Sequence, residues 1–566
     1  MHKGGGYMAV IITSEDIHLI KQPSVECFIR INILNEDGTV LDSLDGIIAG
    51  GANTIDANSD IRRTCSFTII PTRKQEIKVN EASYIWLNRT IKVEVGIKNI
   101  RTKEIKWYSQ GYYIYTDTSG SYDASTNTLQ VNCADFMALL DGSRNGTLGQ
   151  LQTIIPAYQE DNNTGAVITY NYIRDAIIYT VGQLGRISAI QVEDIGEYKG
   201  LEAKNPSGYQ AYRAANPTWN CIPYDLEFSS GDTVLGLLTT LRDLYPNYEM
   251  FFDINNVFVC QMKPSGYDDD IVLSNDYLQQ ILISENTEST NSDFTEVKNI
   301  SEVWGEVIEA DFYTESGVTY SGNVYYVPNS AYISGSENRY YNGDKIAFKV
   351  PVSNSANPSV NIQNLGAIPI YDGENLNRLN AGILIANRTY TFKIKRRYVN
   401  GTYDTRAIYM GQYQPHGMTV LLSKAHHDER YITNRGVNVE LYSPEYFFEL
   451  YDVSPHALTR TINPDSPFTI EKIGSILQVE TRESCTTDDL ALAQSNYNNY
   501  VSTRLTDNIT ITTLLVPFLD VNVKVSYKPY NSEEENQYII DTISHNFESG
   551  TSQITMHRFY PLYSWL

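Results

Sequence analysis

Eight histidines, six cysteines and 67 carboxylates are available for chemistry in this 566-residue chain. Their spacing decides whether any could act together. There is no His-Glu-x-x-His pair, no phosphate-cradling Gly-x-x-x-x-Gly-Lys loop and no Gly-x-Ser-x-Gly elbow. His426-His427-Asp428-Glu429 is the densest titratable cluster. Neighbouring imidazoles and carboxylates can hold a metal or share a proton, but adjacent side chains diverge on a helix or strand, so a solvated linker is the better reading. Asp268-Asp269-Asp270 offers oxygen ligands without the alternate-position pattern of a calcium loop, and is read as a turn before a strand. Paired carboxylates for glycoside cleavage need a fixed separation that sequence does not reveal.

The strongest basic cluster is Arg388, Tyr390, Lys393, Lys395, Arg396 and Arg397, with Phe392 and Tyr398 interleaved. Cations beside aromatic rings suit an anionic cell-surface polymer or another protein, while a solvated strand face has the same composition. These six are the candidate contact residues. No catalytic residue, metal ligand or cofactor site is assigned, and the chain is read as a non-enzyme.

The elements that carry these residues read mainly as β, with a minor α+β part. Ile91, Val93, Val95 and Ile97 alternate with Lys92, Glu94, Gly96 and Lys98, the period of a strand with one wet face. Tyr112 to Thr116 and a strand carrying Leu129, Val131 and Cys133 follow. The same grammar returns near the C-terminus, in Val521, Val523, Val525 and Tyr527, then Tyr538 to Thr542, then Ile554 and Met556. Upstream, Cys65 to Pro71 echoes Thr510 to Pro517. Two diverged copies of one antiparallel unit explain this, although any two amphipathic hairpins share some likeness. The expected map has a first β-barrel at 9–145 and an α+β domain at 146–262. A second barrel is built from 263–309 and 433–566, and an inserted β domain spans 310–432. Helices are expected at 170–184, with Ile173, Ile177, Val181 and Leu184 inward, and at Thr233 to Tyr245, stopped by Pro246. A third, at about 486–505, opens on a Thr486/Asp489 capping box with Leu490, Tyr497, Val501 and Leu505 inward.

Composition bounds the function. A net charge of −24 argues against sequence-independent clamping of DNA by the whole surface, yet allows DNA to slide past. Residues 335–410 run the other way, with ten Lys or Arg against five Asp or Glu, which marks a separate module. The 43 tyrosines against 17 phenylalanines suit sheet surfaces and wet interfaces. Six scattered cysteines read as reduced buried thiols. No apolar run is long enough to span a membrane and no signal-peptide core is seen, so cytoplasmic assembly is expected. Lys3-Gly4-Gly5-Gly6-Tyr7 before Met8 suggests translated leader ahead of a start at Met8, or a flexible Gly-rich tail.

The stretch Phe294 to Gly305, which contains Glu296-Val297-Lys298-Asn299 and Val303-Trp304-Gly305, follows a helix, a hairpin and an acidic turn. In that order it resembles the bacteriophage tail and baseplate hub family. So do Ala134-Asp135-Phe136 with its following Leu139-Leu140, and the terminal Met556 to Tyr563. The resemblance covers 9–305 and about 437–566, and its motifs are structural rather than chemical. The insert is similar to small β modules of tail fibres and appendages. The resemblance implies two tube-like barrels per subunit, a homotrimer that adapts a six-fold tube to a central tip, and a lumen passing DNA without specific binding. It further implies partners among the tail tube or distal tail protein, the tape measure and a central spike or tip protein. Location in the virion tail tip and a host-surface glycan as a possible further ligand are implied as well. A polysaccharide-binding or depolymerising tail protein, acting through the insert, is the rival expectation.

Overall fold

A computed structural model describes residues 12–44, 48–71, 84–116, 121–149, 153–160, 167–193, 195, 220–222, 225–264, 270–284, 287–305, 312–314, 317–328, 340, 344–372, 377–399, 402–412, 421–423, 447–449, 456–461, 464–482, 485, 488–530 and 532–559. Residues 3–8, His426–Glu429, Asp268, Asp269, Thr486 and the terminal 560–566 lie outside them. The chain is mainly β with a minor α+β part.

Its largest element is a sheet of fourteen strands, numbered here in chain order. They are β1 (Cys27–Leu34), β2 (Val40–Ser43), β3 (Ile48–Asp56), β4 (Arg63–Ile69), β5 (Thr90–Lys98), β6 (Ile105–Tyr115), β7 (Ser121–Asp123) and β8 (Thr128–Ala134). Then come β9 (Ile271–Leu273), β10 (Ser289–Asp293), β11 (Thr506–Leu514), β12 (Lys524–Tyr527), β13 (Asn536–Asn546) and β14 (Thr551–Arg558). The order β3-β4-β8-β6-β5-β1 in the first part recurs as β10-β11-β14-β13-β12-β9 in the second. Every neighbouring pair is antiparallel in both, except that β9 runs parallel to β12 while β1 runs antiparallel to β5.

Strand alternation explains each copy. Ile91, Val93, Val95 and Ile97 of β5 are all fully buried, and each such side chain contributes about 1.5–3 kcal/mol by leaving water. With Ile31, Ile33, Cys65, Phe67, Leu129 and Val131, the first two of them build one core. Ile509, Ile511, Val525, Tyr527, Ile540, Ile543, Ile554 and Met556 build the other. The second core also takes Leu19 and Ile20 of the N-terminal helix Ser14–Ile20. That helix is fixed by a Thr13/Asp16 capping box and was not foreseen in the sequence.

The two copies are not separate sheets. β3 pairs with β13 from Ala52↔Asn546 to Asp56↔Thr542, so hydrogen bonding is continuous across the repeat. The second copy makes room for this. Its strand was expected from Val521, but regular pairing begins only at Lys524, because Pro517 lacks an N–H and Asn522 sits at φ +59°. In the first copy β5 stays paired with β6 as far as Thr90↔Ile114.

A smaller α+β unit lies between the copies in sequence. Helices Ile173–Tyr179 and Val234–Asp243 pack on the three-stranded sheet Ile190–Val192, Phe258–Met262 and Tyr248–Phe252. Thr233 caps the second helix by accepting the Gly236 N–H. Another three-stranded sheet, His456–Arg460, Ile300–Gly305 and Leu477–Arg482, carries the helix Asp488–Ser502 on one face. The expected inward stripe of that helix is corrected. Ala491, Gln494, Ser495, Asn498 and Asn499 are buried, Tyr497, Val501 and Leu505 are half-buried, and Leu490 falls outside the described side chains. Hydrogen bonds replace apolar packing there, with Ser495 Oγ donating to Ser301 O at 2.7 Å and Asn498 Nδ2 to Glu480 Oε2 at 2.5 Å. The remaining large sheet has eight strands, from Phe312–Thr314 to Thr402–Gln412, which among the described strands pair only with one another.

The seam between the copies has a polar interior. His545, opposite Asn53, is fully buried and shares a 2.8 Å hydrogen bond between its Nδ1 and Ser552 Oγ. Burial pushes its pKa down from 6.5 to about 4. Between these values the unfolded chain takes a proton that the folded chain refuses. Stability is therefore expected to fall as pH drops from 6.5 to 4, by on the order of 3 kcal/mol from this group. Denaturant titrations across this range should show a shallower decline in His545→Gln, and parallel profiles would refute the assignment.

Candidate functional site

The basic cluster falls on one long strand of the eight-stranded sheet, Thr389–Val399, and strand geometry splits it. Tyr390 points into the domain core with Phe392 and Ile394 at 2 % exposure, and its hydroxyl accepts the Ile385 N–H at 2.8 Å. Tyr390 is thus a core residue, not a contact residue, because it lies on the parity that faces Phe348. Lys393 and Lys395 alternate to the opposite face. Lys345 stands across from Lys393, and Arg406 from Lys395, so cations gather in adjacent rows. Arg406 is balanced by Asp404 at 2.8 Å and lies over the Tyr371 ring at 4.7 Å. Arg388 and Arg396 have the parity of Tyr390, and all four described cations are half-buried. The Arg397 side chain lies outside the described residues. The six therefore do not form one surface.

Among the described residues no group of three or more His, Cys, Asp or Glu is placed to hold a metal ion. Asp270 is exposed immediately before β9. All six cysteines are unpaired, and burial pushes up the thiols of Cys27 and Cys221 to about 11 and that of Cys65 to about 12, which suppresses the nucleophilic thiolate at those three. No described helix is long and apolar enough to cross a membrane.

The densest buried polar constellation lies where the two sheet copies and the α+β unit meet. Arg63, at 1 % exposure, donates through Nη2 to Asp520 Oδ2 at 2.5 Å and through Nη1 to Phe252 O at 2.7 Å. Its backbone N–H donates to Asp135 Oδ2 at 2.9 Å. Arg62 donates to Glu249 Oε2 at 2.5 Å and stacks over the Phe251 ring at 3.8 Å. Glu249 is satisfied further by Gln261 Nε2 at 2.8 Å and Asn522 Nδ2 at 2.7 Å. Burial pushes the Asp135 carboxyl up to about 6 against the pull of two backbone N–H groups and both guanidiniums. This arrangement is a set of buried ion pairs and hydrogen bonds. It fixes three units in one relative position. The sequence held one signal for it: Arg63 shares the inward parity of Cys65, Phe67 and Ile69, where a cation needs a buried partner.

A family model described as a domain of unknown function, DUF5048, matches residues 465–563. No curated protein matches the chain. Among solved structures the chain is similar to the 43 kDa tail protein of prophage MuSo2 from Shewanella oneidensis, at 9% identity and a TM-score of 0.42 over 94% of this chain and 98% of that one. It is also similar to a tail protein from Neisseria meningitidis MC58, at 8% identity and a TM-score of 0.41 over 94% and 98% of the two chains. A prophage tail protein, gp18, from Listeria monocytogenes EGD-e is similar at 8% identity and a TM-score of 0.39 over 93% and 94%.

Removing one member of a buried, hydrogen-bonded ion pair leaves the other uncompensated. Arg63→Met is expected to destabilise the protein by about 3–5 kcal/mol, whereas Lys393→Met, on the half-buried face of the insert, should cost under about 1 kcal/mol. Paired chemical denaturation curves check this, and equal losses would show that Arg63 is not a structural tie.

Proposed function

We propose that this chain is a structural hub of a bacteriophage tail tip or baseplate, a trimeric adaptor that joins a six-fold tail tube to a central tip or spike. The observation that carries the reading is the repeated strand order, β3-β4-β8-β6-β5-β1 and β10-β11-β14-β13-β12-β9, joined edge to edge through β3 and β13. Two like units side by side in one chain become six when three chains close a ring, which matches a six-fold neighbour without six identical subunits. The hub-like stretch Phe294 to Gly305 supports the same reading, as it forms a short turn into the strand Ile300–Gly305.

On this reading residues 9–145, with 263–309 and 433–566, are the two tube-like units, 146–262 is a supporting α+β domain, and 310–432 is an appendage. The lumen passes DNA, and a chain of net charge −24 keeps phosphates from adhering. The tube or distal tail protein would contact one ring face, with the tape measure and tip protein at the lumen. The role is structural and non-enzymatic, in the virion tail, after assembly in the host cytoplasm. The rival reading, host-glycan binding or cleavage by the insert, is weakened by the burial of Tyr390, which removes an aromatic platform from the basic strand.

Light scattering of the purified protein is expected to give the mass of three chains, and a two-fold or six-fold ring in the native particle would refute the adaptor. Replacing 310–432 with a short Gly-Ser linker should leave folding and trimerisation intact, because the insert has a core of its own around Tyr325, Phe348, Phe392 and Ile394. Loss of soluble trimer on that deletion would show instead that the insert completes the hub.

A further inference from the structure

The two copies differ most in charge at one matching feature, the hairpin that leads into β6 and into β13. In the first copy, residues 98–106 carry Lys98, Arg101, Lys103 and Lys106 against Glu104 alone. In the second, residues 528–535 carry Glu533, Glu534 and Glu535 against Lys528 alone. The pairs β13/β3, β3/β4, β4/β8 and β8/β6 are all antiparallel, so β13 and β6 run in the same direction. Both hairpins therefore emerge at the same end of the shared sheet.

Two short helices lie between them. Lys106 at the base of the basic hairpin bonds to Glu15 at 3.0 Å and Asp16 at 2.6 Å on the N-terminal helix. Lys21 just beyond that helix sits 4.7 Å over the ring of Tyr277, in the helix Asn275–Ile281. Asn275 Oδ1 accepts the Lys528 N–H at 2.8 Å and Gln279 Nε2 donates to Lys528 O at 3.0 Å, at the base of the acidic hairpin. Basic hairpin, helix, helix and acidic hairpin thus form one strip. Lys98 and Lys106 are used within the chain, the former by Glu26 at 2.7 Å, and Glu535 accepts the Ser526 hydroxyl. At the tips, Arg101, Lys103, Glu533 and Glu534 are exposed and make no ion pair among the described residues. Tyr530 beside the acidic tip is 73 % exposed.

We propose that this strip is a self-complementary docking surface for a second copy of the chain. A two-fold axis through its middle lays each strip antiparallel on the other. Arg101 and Lys103 of one copy then face Glu533, Glu534 and the Tyr530 ring of its partner, and the reverse contact forms at the other end. Such an interface is isologous, and the same tip-to-tip contact is made twice. Exposed ion pairs are individually weak and screened beyond roughly 8–10 Å, so the contact is reversible and salt-sensitive, and its specificity comes from the order of charges along the strip. This surface is separate from the ring contacts of the adaptor reading. In a protein that also trimerises, it appears as three subunits becoming six.

Sedimentation velocity over a concentration series, at low and at high ionic strength, tests it with the full chain. The wild type is expected to show a doubling of its assembled unit at low salt that disappears at high salt. The pair Arg101→Glu with Lys103→Glu, and the pair Glu533→Lys with Glu534→Lys, should each weaken that step by about tenfold or more. Combining all four should restore it, since the charges are again opposite. The residues sit at exposed hairpin tips, and unchanged circular dichroism confirms folding. Absence of the doubling step, indifference to either reversal, or failure of the fourfold variant to recover would overturn the proposal, whether or not the trimer forms.

Discussion

The relative placement of three units in this chain depends on two adjacent guanidiniums. Arg62 precedes and Arg63 opens β4, at the point where both sheet copies and the α+β sheet meet. Burying two cations is costly unless each finds a counter-charge and its remaining donors are used. Here Glu249 and Asp520 supply the charges, Phe252 O accepts a further Arg63 N–H, the Phe251 ring lies against Arg62, and Gln261 and Asn522 hold Glu249 in place. Apolar packing would tolerate sliding between the units. A set of short, directional bonds does not, so the junction contributes geometry more than net stability.

The sequence made legible whatever depends on a residue and its near neighbours. Alternation placed Ile91 to Ile97 and Leu129 to Cys133 on core faces, and a helical stripe with Thr233 and Pro246 bounded the helix Val234–Asp243. It failed where partners lie far along the chain. The β3–β13 joint spans nearly the whole chain in sequence, and no local pattern announces it. The helix Asp488–Ser502 misled for a related reason. Its leucine and tyrosine stripe is a valid amphipathic face, but the sheet beneath it presents Ser301, Thr459 and Thr461, which select Ser495 and Asn499 instead.

The candidate contact cluster shows the same boundary between local and distant information. Composition grouped these cations by their nearness in sequence, yet a strand sends successive side chains to opposite faces, and only the partner strands decide which face is core. Phe348, stacked on Phe392 at 4.8 Å between centroids, claims one face and takes Tyr390 with it. The eight-stranded sheet closes its own core in this way, which lets its charge balance differ from that of the rest of the chain.

The divergence between the copies constrains any assembly built from them. β13 accepts β3 because Pro517 to Val521 make no ladder with it, which leaves Thr542 to Asn546 open. The equivalent stretch of β6 is closed by its own chain, with Thr90 to Val93 paired to Gly111 to Ile114. A neighbouring chain cannot repeat the internal joint at that place without first displacing four residues whose Ile91 and Val93 are fully buried, a cost of about 3–6 kcal/mol in apolar burial alone. β10, the counterpart of β3, keeps one edge unpaired among the described strands. At that place a contact between chains therefore differs in kind from the contact within the chain.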